Sequence, residues 1–195
     1  GLGDVYKRQF IEMDDKRFFL ERIIKENPDK KILVFVRTKV RAERVLLALE
    51  RVGISSQTIH GNKDQDERSS VMKQFKEGTN KIVIATDISA RGIDIPNVEI
   101  VINYDLPEEA ENYVHRVGRT GRGTQKGLAI SFCSTEEKET LATIEGFLTK
   151  DIAVIKVKKD EYEETVDISE ASTHDWKSLI DDEETLKPKP KKKKK

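Results

Sequence analysis

Short apolar runs alternate with amphipathic stretches from about residue 16 to residue 157. Phe19, Leu20, Ile23 and Ile24 recur at helical spacing. Asn27-Pro28 ends that helix, because proline disfavours the helical conformation in the residue before it. Ile32-Leu33-Val34-Phe35-Val36 is continuous and rich in β-branched residues, as expected of a strand covered on both faces. Between Lys39 and Val52, one helical face collects Ala42, Val45, Leu46, Leu49 and Val52, and Gly53 follows as a cap. The same logic predicts a strand near Gln57–His60 and a helix near Gln65–Lys76 closed by Gly78. Strands over Lys81–Ala85 and Glu99–Asn103 follow, then a helix near Glu109–Val117 that runs into a Gly- and Arg-rich segment. A strand over Leu128–Phe132 precedes a helix over Glu136–Leu148, introduced by Ser134-Thr135-Glu136-Glu137 as a capping box. Ala153–Val157 is the last predicted strand.

Strand–helix alternation at this spacing predicts an α/β fold, a parallel β-sheet with helices on both faces. In such sheets ligands bind beyond the carboxyl ends of the strands, so chemistry is expected in the loops that follow them. Residues 1–9 fit no part of the alternation. We read them as a non-native leader and set them aside, which puts the domain at 10–159.

Charge divides the rest of the chain. The 36 basic and 36 acidic residues cancel overall, yet they are not evenly spread. Residues 160–186 are acidic, with few apolar points beyond Val166, Ile168, Trp176, Leu179 and Ile180. They predict a mostly disordered extension with a short helix around Trp176–Ile180. Residues 187–195 are a lysine-rich, low-complexity tail suited to gripping a polyanion or pairing with the acidic block. The single cysteine, Cys133, excludes an intrachain disulfide. No Cys/His spacing suits a metal, and no apolar run approaches a membrane span, so a cytoplasmic protein without membrane contact is expected.

Three segments carry chemistry. His115-Arg116-Val117-Gly118-Arg119-Thr120-Gly121-Arg122 sets three arginines and two glycines at the end of a helix. The guanidinium fork matches phosphate oxygens, and glycine lets backbone approach a bulky anion. Taken alone, it is as readily an exposed basic loop paired with nearby acids. Ala85-Thr86-Asp87-Ile88-Ser89-Ala90-Arg91-Gly92-Ile93-Asp94 starts where a strand ends. Thr86 can donate to a phosphate and Asp94 can accept from a sugar hydroxyl; capping ahead of Pro96 is the plainer role for Asp87 and Asp94. His60-Gly61 with Gln65 and Arg68 opens a helix whose N-terminus can receive an anion.

Together with Val34-Phe35-Val36-Arg37-Thr38-Lys39, these segments resemble, in order and spacing, the carboxyl-terminal RecA-like domain of DEAD-box ATP-dependent RNA helicases over residues 10–157. His115 favours that RNA-directed group over relatives that begin this motif with Gln. The resemblance implies that Arg119 and Arg122 are arginine fingers for ATP bound, with Mg²⁺, mainly by an amino-terminal RecA-like domain of the same parent chain. It implies that Asp94, beside Gly92, meets the ribose and that His115 links to the partner domain's acidic motif. Thr38, Gly61, Arg68 and Thr86 become contacts to the RNA backbone, and Phe35 a ring against an arginine of the His115–Arg122 segment, although a Phe in a central strand is more often plain core. No phosphate loop and no Asp-Glu-Ala-Asp motif occurs in these 195 residues, so the chain by itself is expected to be inactive toward ATP. A non-catalytic RNA-binding module, half of a DNA helicase and an α/β domain without activity remain the alternatives.

Overall fold

The computed structural model describes residues 5–87, 98–120 and 127–168. Seven strands form one sheet in the order β3-β4-β2-β5-β6-β1-β7, and every neighbouring pair is parallel. In chain order the strands are β1 (Val5–Phe10), β2 (Ile32–Phe35), β3 (Gln57–Ile59), β4 (Ile82–Ala85), β5 (Ile100–Asn103), β6 (Leu128–Cys133) and β7 (Ala153–Val154). The helices between them are α1 (Lys16–Glu26), α2 (Lys39–Arg51), α3 (Gln65–Glu77), α4 (Ala110–Val117) and α5 (Lys138–Leu148); residues 159–168 form α6. The predicted α/β fold is observed, with strand and helix limits within a few residues of expectation.

The apolar runs of the central strands split between two cores because side chains alternate across a sheet. Leu33 and Phe35 of β2 join Val71, Met72 and Phe75 of α3, Tyr113 and Val117 of α4, and Leu141 and Ile144 of α5. Ile32, Val34 and Val36 point the other way, to Phe19, Leu20 and Ile24 of α1 and Ala42, Val45 and Leu49 of α2. Each such fully buried side chain contributes roughly 1.5–3 kcal/mol.

Helix ends follow local chemistry. Thr38 caps α2 by accepting from the Arg41 amide at 3.1 Å. At α3, Asp64 and Glu67 exchange side-chain-to-amide bonds in a capping box, and Gly78 closes the helix at φ 80°. That left-handed backbone favours glycine over any residue with a Cβ.

The described fold extends beyond the expected bounds of 10–159 at both ends. Residues 5–9 belong to the sheet: β1 lies between β6 and β7, with Val5 opposite Leu128 and Lys7 opposite Ala153. An ion pair from Arg8 to Glu145 on α5 fixes it further. Its mixed sequence hid it, since polar Lys7, Arg8 and Gln9 give no apolar run. The acidic extension also begins inside the fold. Within α6, Tyr162 packs tilted against Phe19 at 4.8 Å between ring centroids and donates to Asp15 Oδ2 at 2.7 Å, while Arg22 donates to Thr165 Oγ1 at 3.0 Å. The helix proposed around Trp176–Ile180 and the lysine tail lie outside the described residues.

Candidate nucleic-acid and nucleotide interface

All strands run the same way, so every loop after a strand reaches one edge of the sheet. Thr38 follows β2, Gly61 follows β3, and Thr86 follows β4, and these three strands are adjacent. Thr38 and Gly61 are exposed; Thr86 is buried, and its amide donates to Ile59 O at 3.3 Å. A Cβ at Gly61 would meet nothing within 4 Å, so this turn leaves open space in front of its backbone. Arg68 stands half-buried in the first turns of α3, beside the same edge.

His115 and Arg119 occupy the last turn of α4 and the residues just after it, His115 exposed and Arg119 half-buried. Thr120 then donates to Val98 O at 2.7 Å, tying the end of this segment to the start of β5. Arg122, Gly92 and Asp94 lie outside the described residues.

Arg116 is the residue that sequence reasoning passed over. It is 1% exposed and makes a two-point pair with Asp87, Nε to Oδ1 at 2.6 Å and Nη2 to Oδ2 at 2.7 Å. Its Nη1 donates to Asp105 O at 2.7 Å and to Asn103 Oδ1 at 3.3 Å. The guanidinium lies 5.1 Å from the Phe35 ring centroid, so Phe35 does face an arginine of the His115–Arg122 segment while remaining core. Asn103 passes the network to Ser131 at 3.0 Å, and Ser131 to the Tyr113 hydroxyl at 3.3 Å. Burial pushes the Tyr113 phenol up to about 12, partly offset by Ser131. A signal was available: Tyr113, Arg116 and Val117 share one helical face, so the arginine occupies a position where an apolar residue is expected.

Two further charged groups brace the edge. Lys16, fully buried at the start of α1, pairs with Glu137 Oε2 at 2.6 Å. Burial acts to raise the Glu137 carboxyl. The charge and hydrogen bond of Lys16, with the Ser134 and Leu106 amides, outweigh that and hold it below the usual carboxylate range. Asp105 receives the Arg37 amide at 3.0 Å and lies 3.8 Å from Lys16. On the other side, His60 Nε2 meets Glu43 Oε1 at 2.6 Å, and Thr58 donates to the same oxygen at 2.8 Å. Burial again acts to raise Glu43, but these hydrogen bonds leave it lowered. The Asn62 amide donates to His60 Nδ1 at 3.4 Å, which leaves Nε2 to carry the proton toward Glu43. Buried Cys133 is inert by comparison, its thiol pushed up to about 11 by burial.

The edge thus presents hydroxyls, an open glycine turn and guanidinium groups, a donor set for phosphate oxygens. Residues 15–124 match the helicase conserved C-terminal domain. The chain belongs to that family, as the carboxyl-terminal RecA-like domain of the DEAD-box helicases. It is 45% identical over 139 residues to the ATP-dependent RNA helicase DbpA of Bacillus subtilis, covering 71% of this chain and 29% of that protein. The chain therefore spans less than a third of the length of that relative. Escherichia coli SrmB, solved with regulator of ribonuclease activity A, superposes with a TM-score of 0.75 at 31% identity, covering 81% of this chain and 92% of that one. Saccharomyces cerevisiae Dbp5, solved with RNA and ADP BeF3, superposes with a TM-score of 0.72 at 32% identity, covering 86% of this chain and 45% of that one.

Proposed function

We propose that this chain is the half of an ATP-dependent RNA helicase that grips the RNA backbone and supplies arginine fingers to an amino-terminal RecA-like partner domain of the same parent chain. One observation carries the reading. Thr38, Gly61 and Thr86 stand at the carboxyl ends of three neighbouring strands, and buried Arg116 ties the residue after Thr86 to the helix that bears His115 and leads into Arg119.

The Thr38 and Thr86 hydroxyls, the backbone at Gly61 and the Arg68 fork address phosphates and riboses, not base edges, so binding is independent of sequence. Arg119 fits an anion by its planar fork, and Arg122, three residues on, joins it in this reading. His115 faces outward from α4 to meet the partner domain's acidic motif, while Asp94 and Gly92 serve the ribose. ATP, when bound, supplies the phosphoanhydride bond whose cleavage drives the cycle. Its Mg²⁺ is assigned to the partner domain, because the side chains offered here to the phosphates are cations and repel a metal. When the domains close, the arginines stabilise charge on the transferring phosphoryl group by a factor of about 10³–10⁵, roughly 4–7 kcal/mol. Closing and reopening then work against the gripped strand and separate or remodel short RNA duplexes. A cytoplasmic setting belongs to this reading; no helix among the described residues is long and apolar enough to cross a membrane.

The test is kinetic. In a two-domain enzyme containing this half, Arg119→Ala and Arg122→Ala should each lower kcat by several decades while ATP affinity changes far less. A kcat within a few-fold of wild type removes the finger assignment. The 195-residue chain alone should release no phosphate above background with saturating RNA, and reproducible turnover would falsify its role as a dependent half.

A further inference from the structure

A groove of about 340 Å³ opens on the α1–α2 side of the same edge, lined by Met13, Arg17, Arg41, Arg44 and Tyr104, with Asp14 also on its wall. Its parts come from the loop after β1, the first turns of α1 and α2, and the residue after β5, so it sits at the carboxyl ends of the strands. Arg41 is held in place: it lies 3.5 Å from Asp105 Oδ2 and its Nη2 reaches Met13 Sδ at 3.1 Å. Arg17 stacks on the Phe18 ring at 4.1 Å, and neither it nor exposed Arg44 has a carboxylate partner among the described residues. Two guanidinium charges therefore face the groove with only Asp14 opposite them.

The floor carries an independent sign of a ligand. Tyr104 is 4% exposed and set edge-on to Phe132 at 6.0 Å, yet its hydroxyl makes no hydrogen bond to any described residue. Burial raises the phenol, so it stays a neutral donor. Tyr104 lines the groove, so its hydroxyl is left to donate to an acceptor that enters there. An acceptor anion flanked by guanidinium forks satisfies all three groups at once.

We infer that this groove binds a phosphodiester of the RNA strand beyond the Thr38 contact. The inference rests on the RNA-backbone reading and extends its path. Thr38 caps α2, and Arg41 and Arg44 lie three and six residues along the same helix, about 4.5 and 9 Å further on at 1.5 Å per residue. A strand that meets Thr38 and continues past α2 reaches the groove within the next nucleotides, whereas a strand ending at Thr38 does not.

The experiment uses the full 195-residue chain and two labelled single-stranded RNAs, one spanning only Thr38 to Thr86 and one extended past Thr38. Arg17→Gln with Arg44→Gln, and separately Tyr104→Phe, should weaken the extended strand several-fold and leave the short one unchanged. The double variant should also make the salt dependence for the extended strand shallower, by roughly 0.7 for each phosphate no longer neutralised. Thermal melting of each variant confirms that the fold is kept, and Tyr104→Phe, which keeps the ring, guards against a packing effect. Equal loss on both lengths, or loss on neither, overturns the groove assignment. A matched titration with inorganic polyphosphate separates the sources: weakened polyphosphate with unaltered extended RNA overturns RNA as the ligand. Arg68→Ala serves as the control for the parent reading and should weaken both lengths. If it weakens neither while the groove variants still act selectively, the Arg68 contact fails and the groove stands. If the wild-type chain binds neither RNA at low salt, both fail.

Discussion

Arg116 and Asp87, 29 residues apart in sequence, are joined by two hydrogen bonds of 2.6 and 2.7 Å with the arginine 1% exposed. The pair links the segment leaving β4 to the helix that carries His115 and leads into Arg119. Its two ends are unequal, since the Asp87 side chain is 24% exposed and the Arg116 side chain 1%.

That asymmetry predicts an order of damage. Asp87→Ala strands a buried guanidinium and should cost about 3–5 kcal/mol, the usual loss when one partner of a buried pair is removed. Arg116→Met leaves a carboxylate that water can reach and fills the space with apolar atoms, so it should cost less. Urea unfolding of both single variants and the double variant measures this, the double showing a coupling well away from additivity. If Arg116→Met were the more damaging, the pair would not be limited by desolvation of the arginine.

Lys16 and Glu137 make a pH-dependent brace. The folded carboxyl is held below its ordinary value of 4.5, so its contribution is fully present above that value and is lost as pH falls through the lower folded value. Glu137→Gln should therefore be less stable than wild type at neutral pH, and the two should converge on acidification. Thermal melts from neutral pH to below 4 test this; a constant gap across the range would show that Glu137 acts by packing alone.

Tyr162 carries the docking of α6. Its hydroxyl donates to Asp15 and accepts the Glu12 amide at 3.1 Å; burial, then the Asp15 hydrogen bond, pushes the phenol up to about 12. Tyr162→Phe should cost about 1 kcal/mol, the net worth of a typical hydrogen bond. Because the folded value is raised above the ordinary 10.0, the wild-type advantage holds below pH 10 and disappears as pH rises toward 12. Amide exchange over residues 159–168, compared between wild type and variant, reports the loss locally. Unchanged protection would mean that the ring contact with Phe19 suffices.

Most of the architecture was legible from one-dimensional pattern. The β-branched runs at Ile32–Phe35, Ile82–Ala85 and Ile100–Asn103 are strands because a parallel sheet buried on both faces needs continuous apolar sequence, and Gly78 closes α3 as its spacing implied. The residues expected to meet ligand were chosen by position: Thr38, Gly61 and Thr86 follow strands, at the edge where a doubly covered parallel sheet receives its ligands. What only the tertiary structure decided is where charge meets charge across the fold. β1 looked like nothing because its stability comes from pairing with β6 and β7, and edge-ward pairing leaves no apolar period to read. The buried pairings of Lys16, Arg116 and Glu137 could not be read in advance, because sequence does not show that a partner 121 or 29 residues away will lie within 3 Å. Hydrophobic burial acts residue by residue and leaves a local trace, whereas a buried ion pair exists only once the chain has brought both ends together.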